Sequence, residues 1–304
     1  MVHGDLLLVV FAQSLRRPLP PRQRLAAEER FIEFTVERDG KPNFVTGELP
    51  LRDERIHLRT VAPPIWKGKP VDQYDFDRLF FLGGANNNVT GQLDESSLCE
   101  WLVDLAHTND AEDWGVRYLR SRNMLRFEAR DARSARDYAD IQETYHTSAL
   151  QEIIGLFGVR CEPAGPPKYV RVPVMLMAKL PAKGSRLLML AAEMIGTIGL
   201  LEMREQGQEI LQPVDPDIWD AVRERLDEIL VDELGHMMVL WSTCSWFEIN
   251  ALAWITKFFQ FFVERAFGTE PAEHHDRLSN FSLADIPEEI VRKAFVPESY
   301  LQDV

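Results

Sequence analysis

Two Glu-x-x-His pairs, Glu143 with His146 and Glu233 with His236, lie inside apolar helical stripes on either side of a proline-rich stretch. On a helix, residues three apart project from the same side, so the Glu and His of each pair can reach a common point. The first stripe continues through Leu150, Ile153, Ile154 and Phe157. The second runs Trp219, Val222, Leu226, Ile229 or Leu230, Glu233, His236 or Met237, and Leu240. With seven histidines in the chain, two such pairs arise by chance in roughly one chain in ten, so the spacing alone is weak. Context strengthens it, because a carboxylate on an apolar face is costly unless something compensates it. The ordinary alternative is a pair of solvent-facing i,i+3 contacts.

The pattern around the pairs predicts an all-α fold. A first helix is expected from about Asp77 to Ala106, with Leu98, Leu102 and Leu105 on one face, although Gly83-Gly84 and Asn86-Asn87-Asn88 interrupt it. A second is expected over Ser134 to Phe157 and a third over Ser185 to Gln206, with Gly207 as its stop. The fourth opens at Asp215-Pro216-Asp217, an N-cap followed by proline in the first turn. Between the second and third, Gly158 to Gly184 holds five prolines and reads as a long, ordered, non-helical crossover. A fifth apolar helix is expected near Phe247 to Phe267, and a short one after Pro287. Two helices, a long crossover and two more helices is the layout of ferritin-like four-helix bundles. The expected division is an irregular extension over residues 1–75, the bundle over 76–270 and a tail over 271–304. Within the extension, Phe31 to Glu37 and Asn43 to Leu49 flank Asp39-Gly40 and suggest a β-hairpin.

Such bundles hold two metal ions by a Glu-x-x-His from each of two helices and a carboxylate from each of the others. Four carboxylates balance two divalent ions, and two neutral imidazoles complete the donor set. For the third helix, Leu187 to Leu201 is apolar apart from Glu193 and Thr197. Antiparallel packing about a turn near position 212 brings Glu193 level with Glu233; Glu202 would stand on the order of 13 Å nearer the turn. The first helix offers Asp94, Glu95, Glu100, Asp104 and Glu112, of which Glu95 shares the Leu98–Leu102 face and is preferred over Asp94. The expected ligands are therefore Glu95, Glu143, His146, Glu193, Glu233 and His236. Asp232 is a candidate acceptor for a liganding imidazole's proton. Tyr145 is a candidate neighbour of the site, with a core position the commoner explanation. His3, His57, His107, His274 and His275 read as surface or loop residues.

Composition narrows the setting. The net charge is −14 over 304 residues with no basic stripe, which argues against a nucleic-acid partner. Cys99, Cys161 and Cys244 form no C-x-x-C pair and suit a reducing compartment, so a cytoplasmic location is expected. Leu6 to Phe11 is short and preceded by Asp5, unlike a signal peptide, and reads as a buried strand or anchor. Ala251 to Phe267 carries Lys257, Glu264 and Arg265, too many charges for a membrane span. Nothing resembles a P-loop, a nucleophile elbow or a dinucleotide glycine fingerprint.

The ligand motifs resemble those of the p-aminobenzoate N-oxygenase family of di-iron proteins. The likeness lies in Gln142-Glu143-Thr144-Tyr145-His146-Thr147, in Ala192-Glu193-Met194-Ile195 and in Val231-Asp232-Glu233-Leu234-Gly235-His236, with a weaker echo over Asn87 to Glu95. It covers roughly residues 78 to 245. The resemblance implies a ferritin-like fold, two irons and O2-dependent oxidation of a small organic substrate, in the family an arylamine of secondary metabolism. Where the family carries a further histidine one turn before its last Glu, this chain has Ile229, leaving the ordinary six ligands. The expected function is thus a di-iron monooxygenase or N-oxygenase, using two Fe ions (or Mn, or a mixed pair), O2 and an external electron donor. A homodimer is expected. The alternative is an iron-oxidising, iron-binding protein without an organic substrate.

Overall fold

The computed structural model describes residues 18–42, 49–53, 65–66, 69–70, 97–127, 134–157, 171–172, 175, 182–249, 251–252, 255 and 283–301. Their elements are α1 (Pro21–Asp39), α2 (Pro50–Asp53), α3 (Ser97–Phe127), α4 (Ala135–Leu156), α5 (Ala182–Leu211), α6 (Pro216–Thr243), α7 (Glu288–Lys293) and α8 (Glu298–Leu301). A 3-10 turn covers Leu283–Asp285, and a two-residue antiparallel ladder pairs β1 (Ile65–Trp66) with β2 (Lys69–Pro70). The all-α class expected from the sequence is what these residues adopt. None of their helices is long and apolar enough to cross a membrane.

Two compact units divide the chain. The first comprises Met1–Phe31, Met175–Gly199 and Leu230–Val304; the second comprises Ile32–Val174 and Leu200–Ile229.

The expected hairpin is absent from its described half, because Phe31 to Asp39 is helix. Composition favoured a strand there, but the buried positions Ala27, Phe31, Thr35 and Asp39 recur every four residues, a helical period. Asp39-Gly40 ends α1 instead of turning a hairpin. Gly40 adopts φ +82°, and its N–H donates to the carbonyl of Val36 at 3.0 Å, a glycine cap on the last turn. Residues 43–48, the other half of the expected hairpin, lie outside the described residues.

In the second unit, α3 and α4 pack together. α3 runs about twenty residues past its expected end at Ala106; residues 77–96, its expected first part, lie outside the described residues. Its core stripe is Leu98, Leu102, Leu105, Asn109 and Glu112, in steps of four and three, so the periodicity continues although the residues turn polar. α4 begins on a capping box: the Ser134 hydroxyl accepts from the Asp137 amide, and the Asp137 carboxylate accepts from the Ser134 amide.

α5 does not stop at Gly207 but continues to Leu211. A Cβ at Gly207 would stand 3.0 Å from both the Trp101 and Trp219 rings, so the glycine serves close packing within the helix. The Trp101 indole donates to the Met203 carbonyl at 2.7 Å and meets the Phe157 ring edge-on. α6 opens as expected, with the Asp215 carboxylate accepting from the Ile218 amide at 3.1 Å. Within the proline-rich stretch, the described residues 171, 172, 175 and 182–184 are helical, in contrast to the non-helical expectation. Local helix is compatible with prolines that stand before it or in its first turn. Farther on, residues 246–249, 251, 252 and 255 are helical, within the span of the expected fifth helix.

Candidate metal centre

Each unit gathers two carboxylates and one imidazole. In the second unit the group is Glu112 from α3 with Glu143 and His146 from α4; one ligand atom from each lies within 4.8 Å of the others. His146 is fully buried, and its Nδ1 stands 3.6 Å from Glu143 Oε2. In the first unit the group is Glu193 from α5 with Glu233 and His236 from α6, again within 4.8 Å. Here His236 Nδ1 stands 3.5 Å from Glu193 Oε2, and both His236 and Glu233 are buried.

These separations are informative. At 3.5–3.6 Å the nitrogen–oxygen pairs exceed the usual hydrogen-bond range of roughly 2.7–3.2 Å. They are close to what neighbouring ligands on one ion require, since bonds of roughly 2.0–2.2 Å set donor atoms roughly 3 Å apart. Two carboxylates drawn together at a buried site repel one another, and a divalent cation reverses that cost. With Nδ1 turned to the carboxylates, each imidazole has to carry its proton on Nε2 to offer a lone pair there. The donor sets therefore fit a divalent metal.

The first unit's group is well supported. The Phe31 ring lies edge-on to His236 with centroids 6.2 Å apart, and against Phe295 at 5.5 Å. Gly235 makes room for it, because a Cβ there would come 3.4 Å from Phe31 Cε2. Gly196, one turn after Glu193, would place a Cβ 3.6 Å from Glu233 Oε2, so a larger side chain would crowd that carboxylate.

In the second unit a buried ionic network backs α4. Asp39 accepts from Arg38 at 2.7 Å, from Arg52 at 3.0 Å and from Gln142 Nε2 at 2.9 Å. Gln142 precedes Glu143, so this carboxylate ties the ligand-bearing turn of α4 to α1 and α2. The Arg52 guanidinium lies 4.6 Å over the Tyr145 ring. The Tyr145 hydroxyl donates to Glu228 at 2.8 Å and accepts from Arg225 at 2.9 Å. Burial, and then the charge of Glu228, push the phenol's pKa far above its ordinary value, which keeps it protonated. Tyr145 is thus committed to the network.

Of the acids weighed on the first helix, Glu112 stands with Glu143 and His146. Glu95 and Asp94 lie outside the described residues, and among those described Glu100, Asp104 and Glu202 join neither group. Antiparallel register favours Glu112 over Glu95 without singling it out. The α3–α4 connection centres near residue 131; Glu143 lies 12 residues beyond that point, Glu112 lies 19 before it and Glu95 lies 36 before it. His107 is buried on α3, contrary to its expected surface position, because α3 continues through it. Asp232 is buried beside Glu233. His3, His57, His274 and His275 lie outside the described residues.

Compared with known proteins, the chain matches no family model, no curated protein and no solved structure.

Proposed function

We propose that this chain is an O2-dependent di-metal oxygenase of ferritin-like architecture acting on a small organic substrate. In this reading each unit's group holds one metal ion. Glu112, Glu143 and His146 would hold one ion, and Glu193, Glu233 and His236 would hold the other. The observation that carries the reading is the equality of the two groups: each has two carboxylates and one imidazole, each built on a Glu-x-x-His turn. Four carboxylates balance two divalent ions, and six ligands leave open positions. Iron is the expected metal; manganese or a mixed pair suits the same donors. When bound, the pair supplies electrons for activating O2, and an external donor restores them.

The protein's own part is to hold and shield. The neutral imidazoles keep their proton on Nε2 and present Nδ1. Phe31 fixes the plane of His236, and Asp39, through Gln142, fixes the turn that carries Glu143 and His146. Met194 and Ile198, both buried, lie one and five residues after Glu193 on α5. Ile229 supplies no seventh ligand.

The test is iron analysis of the full chain with O2 uptake. Two irons per chain are expected, falling to one or fewer in Glu112→Ala and in Glu193→Ala, and staying at two in Glu95→Ala. Iron well below two per chain, unchanged by Glu143→Ala, sinks the proposal. Uptake far beyond two irons, with no O2 consumption stimulated by amines or other organic substrates, favours an iron-storing protein instead.

A further inference from the structure

One end of the first unit carries a cleft that the metal-ligand set does not use. It is a cavity of ≈ 500 Å³ lined by Arg24, Arg186, Thr243, Ser245 and Glu248, with Leu25 and Glu28 at its edge. The charges in it are unevenly spent. Glu248 is taken up by Arg186 Nη2 at 2.7 Å and by the amide and hydroxyl of Ser245 at 2.7 and 2.6 Å. Burial works against its charge, but the Ser245 and Arg186 hydrogen bonds outweigh it and lower its pKa. Arg186 Nε remains buried without a hydrogen-bond partner. Arg24 uses its Nε on the Leu19 carbonyl at 2.6 Å, and among the described residues no carboxylate forms an ion pair with its Nη groups. Burial, and then the charge of Glu248, push the Cys244 thiol up to about 12. Arg186 and Arg24 act on it in the opposite sense, so both guanidiniums stand near it.

Position gives the cleft meaning. Arg186 lies seven residues before Glu193 on α5, and Thr243 lies seven after His236 on α6. Seven residues are two turns, within about 20° of the same face and about 10 Å along the axis. The cleft therefore lies on the ligand-bearing faces of both helices, near the start of α5 and at the end of α6.

We propose that this cleft is an oxyanion-binding site, in which Arg24 and Arg186 receive the carboxylate, sulfate or phosphate end of a small molecule. Guanidinium N–H groups suit such an end because they donate in a planar fork. That the molecule is the one oxidised at the metal centre rests on the function proposed above; the binding itself does not.

Calorimetric titration of the iron-loaded full chain with sodium sulfate, against chloride at equal ionic strength, tests the site. Saturable binding at one site per chain is expected. Arg24→Gln and Arg186→Gln each weaken it about tenfold or more, the loss of a charge-assisted contact. Glu28→Gln tightens it about twofold to fivefold by removing a repelling charge from the rim, a gain that misfolding cannot imitate. Glu193→Ala leaves sulfate affinity unchanged even where it removes iron, so failure of the metal reading and failure of this one are distinguishable. Absence of saturable binding overturns the proposal. So does affinity that ignores both arginine substitutions, or affinity that vanishes with Glu193→Ala, which would place the anion on the metal.

Discussion

Gly207→Ala sets local propensity directly against packing. In a helix interior, replacing glycine by alanine stabilises by about 1 kcal/mol, because alanine loses less backbone freedom on folding. At Gly207 the new methyl carbon would stand 3.0 Å from Trp101 Cζ2, 3.0 Å from Trp219 Cζ3 and 3.2 Å from Trp101 Cε2. Carbon atoms prefer a separation of roughly 3.5–4.0 Å, so two ring systems would have to retreat by half an ångström or more. Neither has room. Both tryptophans are buried, and Trp101 is also held by its hydrogen bond to Met203. Overpacking of this kind costs about 1–3 kcal/mol, which leaves a net destabilisation of about 0–2 kcal/mol. The control is Gly199→Ala on the same helix, where a Cβ would meet nothing within 4 Å and only the propensity gain of about 1 kcal/mol remains. Urea denaturation followed by far-UV circular dichroism and by tryptophan fluorescence measures both, and the two probes test whether unfolding is a single transition. Gly199→Ala should raise the midpoint and Gly207→Ala lower it. If Gly207→Ala stabilises as much as Gly199→Ala, the indole contact has no energetic consequence and the reasoning fails.

Asp39→Asn should destabilise by about 3–5 kcal/mol, because it removes the charge that compensates buried Arg52 and turns an amide donor toward guanidinium donors. A loss below about 1 kcal/mol in denaturant titration would show that the network is not closed as described. Glu248 has a folded pKa below its ordinary 4.5. A depressed carboxylate contributes stability that is fully present above the unfolded value and is lost as pH falls through the folded one. Wild type should therefore exceed Glu248→Gln in stability at neutral pH, and the gap should close only below about pH 4.5. Melting temperatures from pH 3 to 7 check this, and a gap independent of pH refutes it.

The units of this chain are divided only once where composition changes, after Val174 in the proline-rich stretch. Their other three boundaries fall within α1, α5 and α6, at Phe31, Gly199 and Ile229. No linker marks such a boundary in sequence, because continuous helical hydrogen bonding runs through it.

Local chemistry alone determined a good deal. The helical period placed Glu143 with His146 and Glu233 with His236 on single faces, since three residues are close to one turn. Asp215 and Ser134 marked helix starts through the hydrogen bonds their side chains offer. The apolar run around Glu193 flagged that acid, and its register with Glu233 follows from a short connection. Only the tertiary structure decided the rest. Phe31 to Asp39 is helix because α1 buries one side chain per turn, which a preference for β-branched and aromatic residues does not reveal. Gly207 continues α5 because two indoles, one over a hundred residues distant, occupy the space above it. Glu112 stands beside Glu143 and His146 because α3 extends to Phe127, and the length of a helix fixes which of its acids lies level with its partner. The opening Glu-x-x-His pairs fixed the directions of four side chains; the packing of α3 on α4 and of α5 on α6 determined which carboxylates meet them. Spacing along one helix is a local property, whereas the approach of two helices depends on where each of them ends.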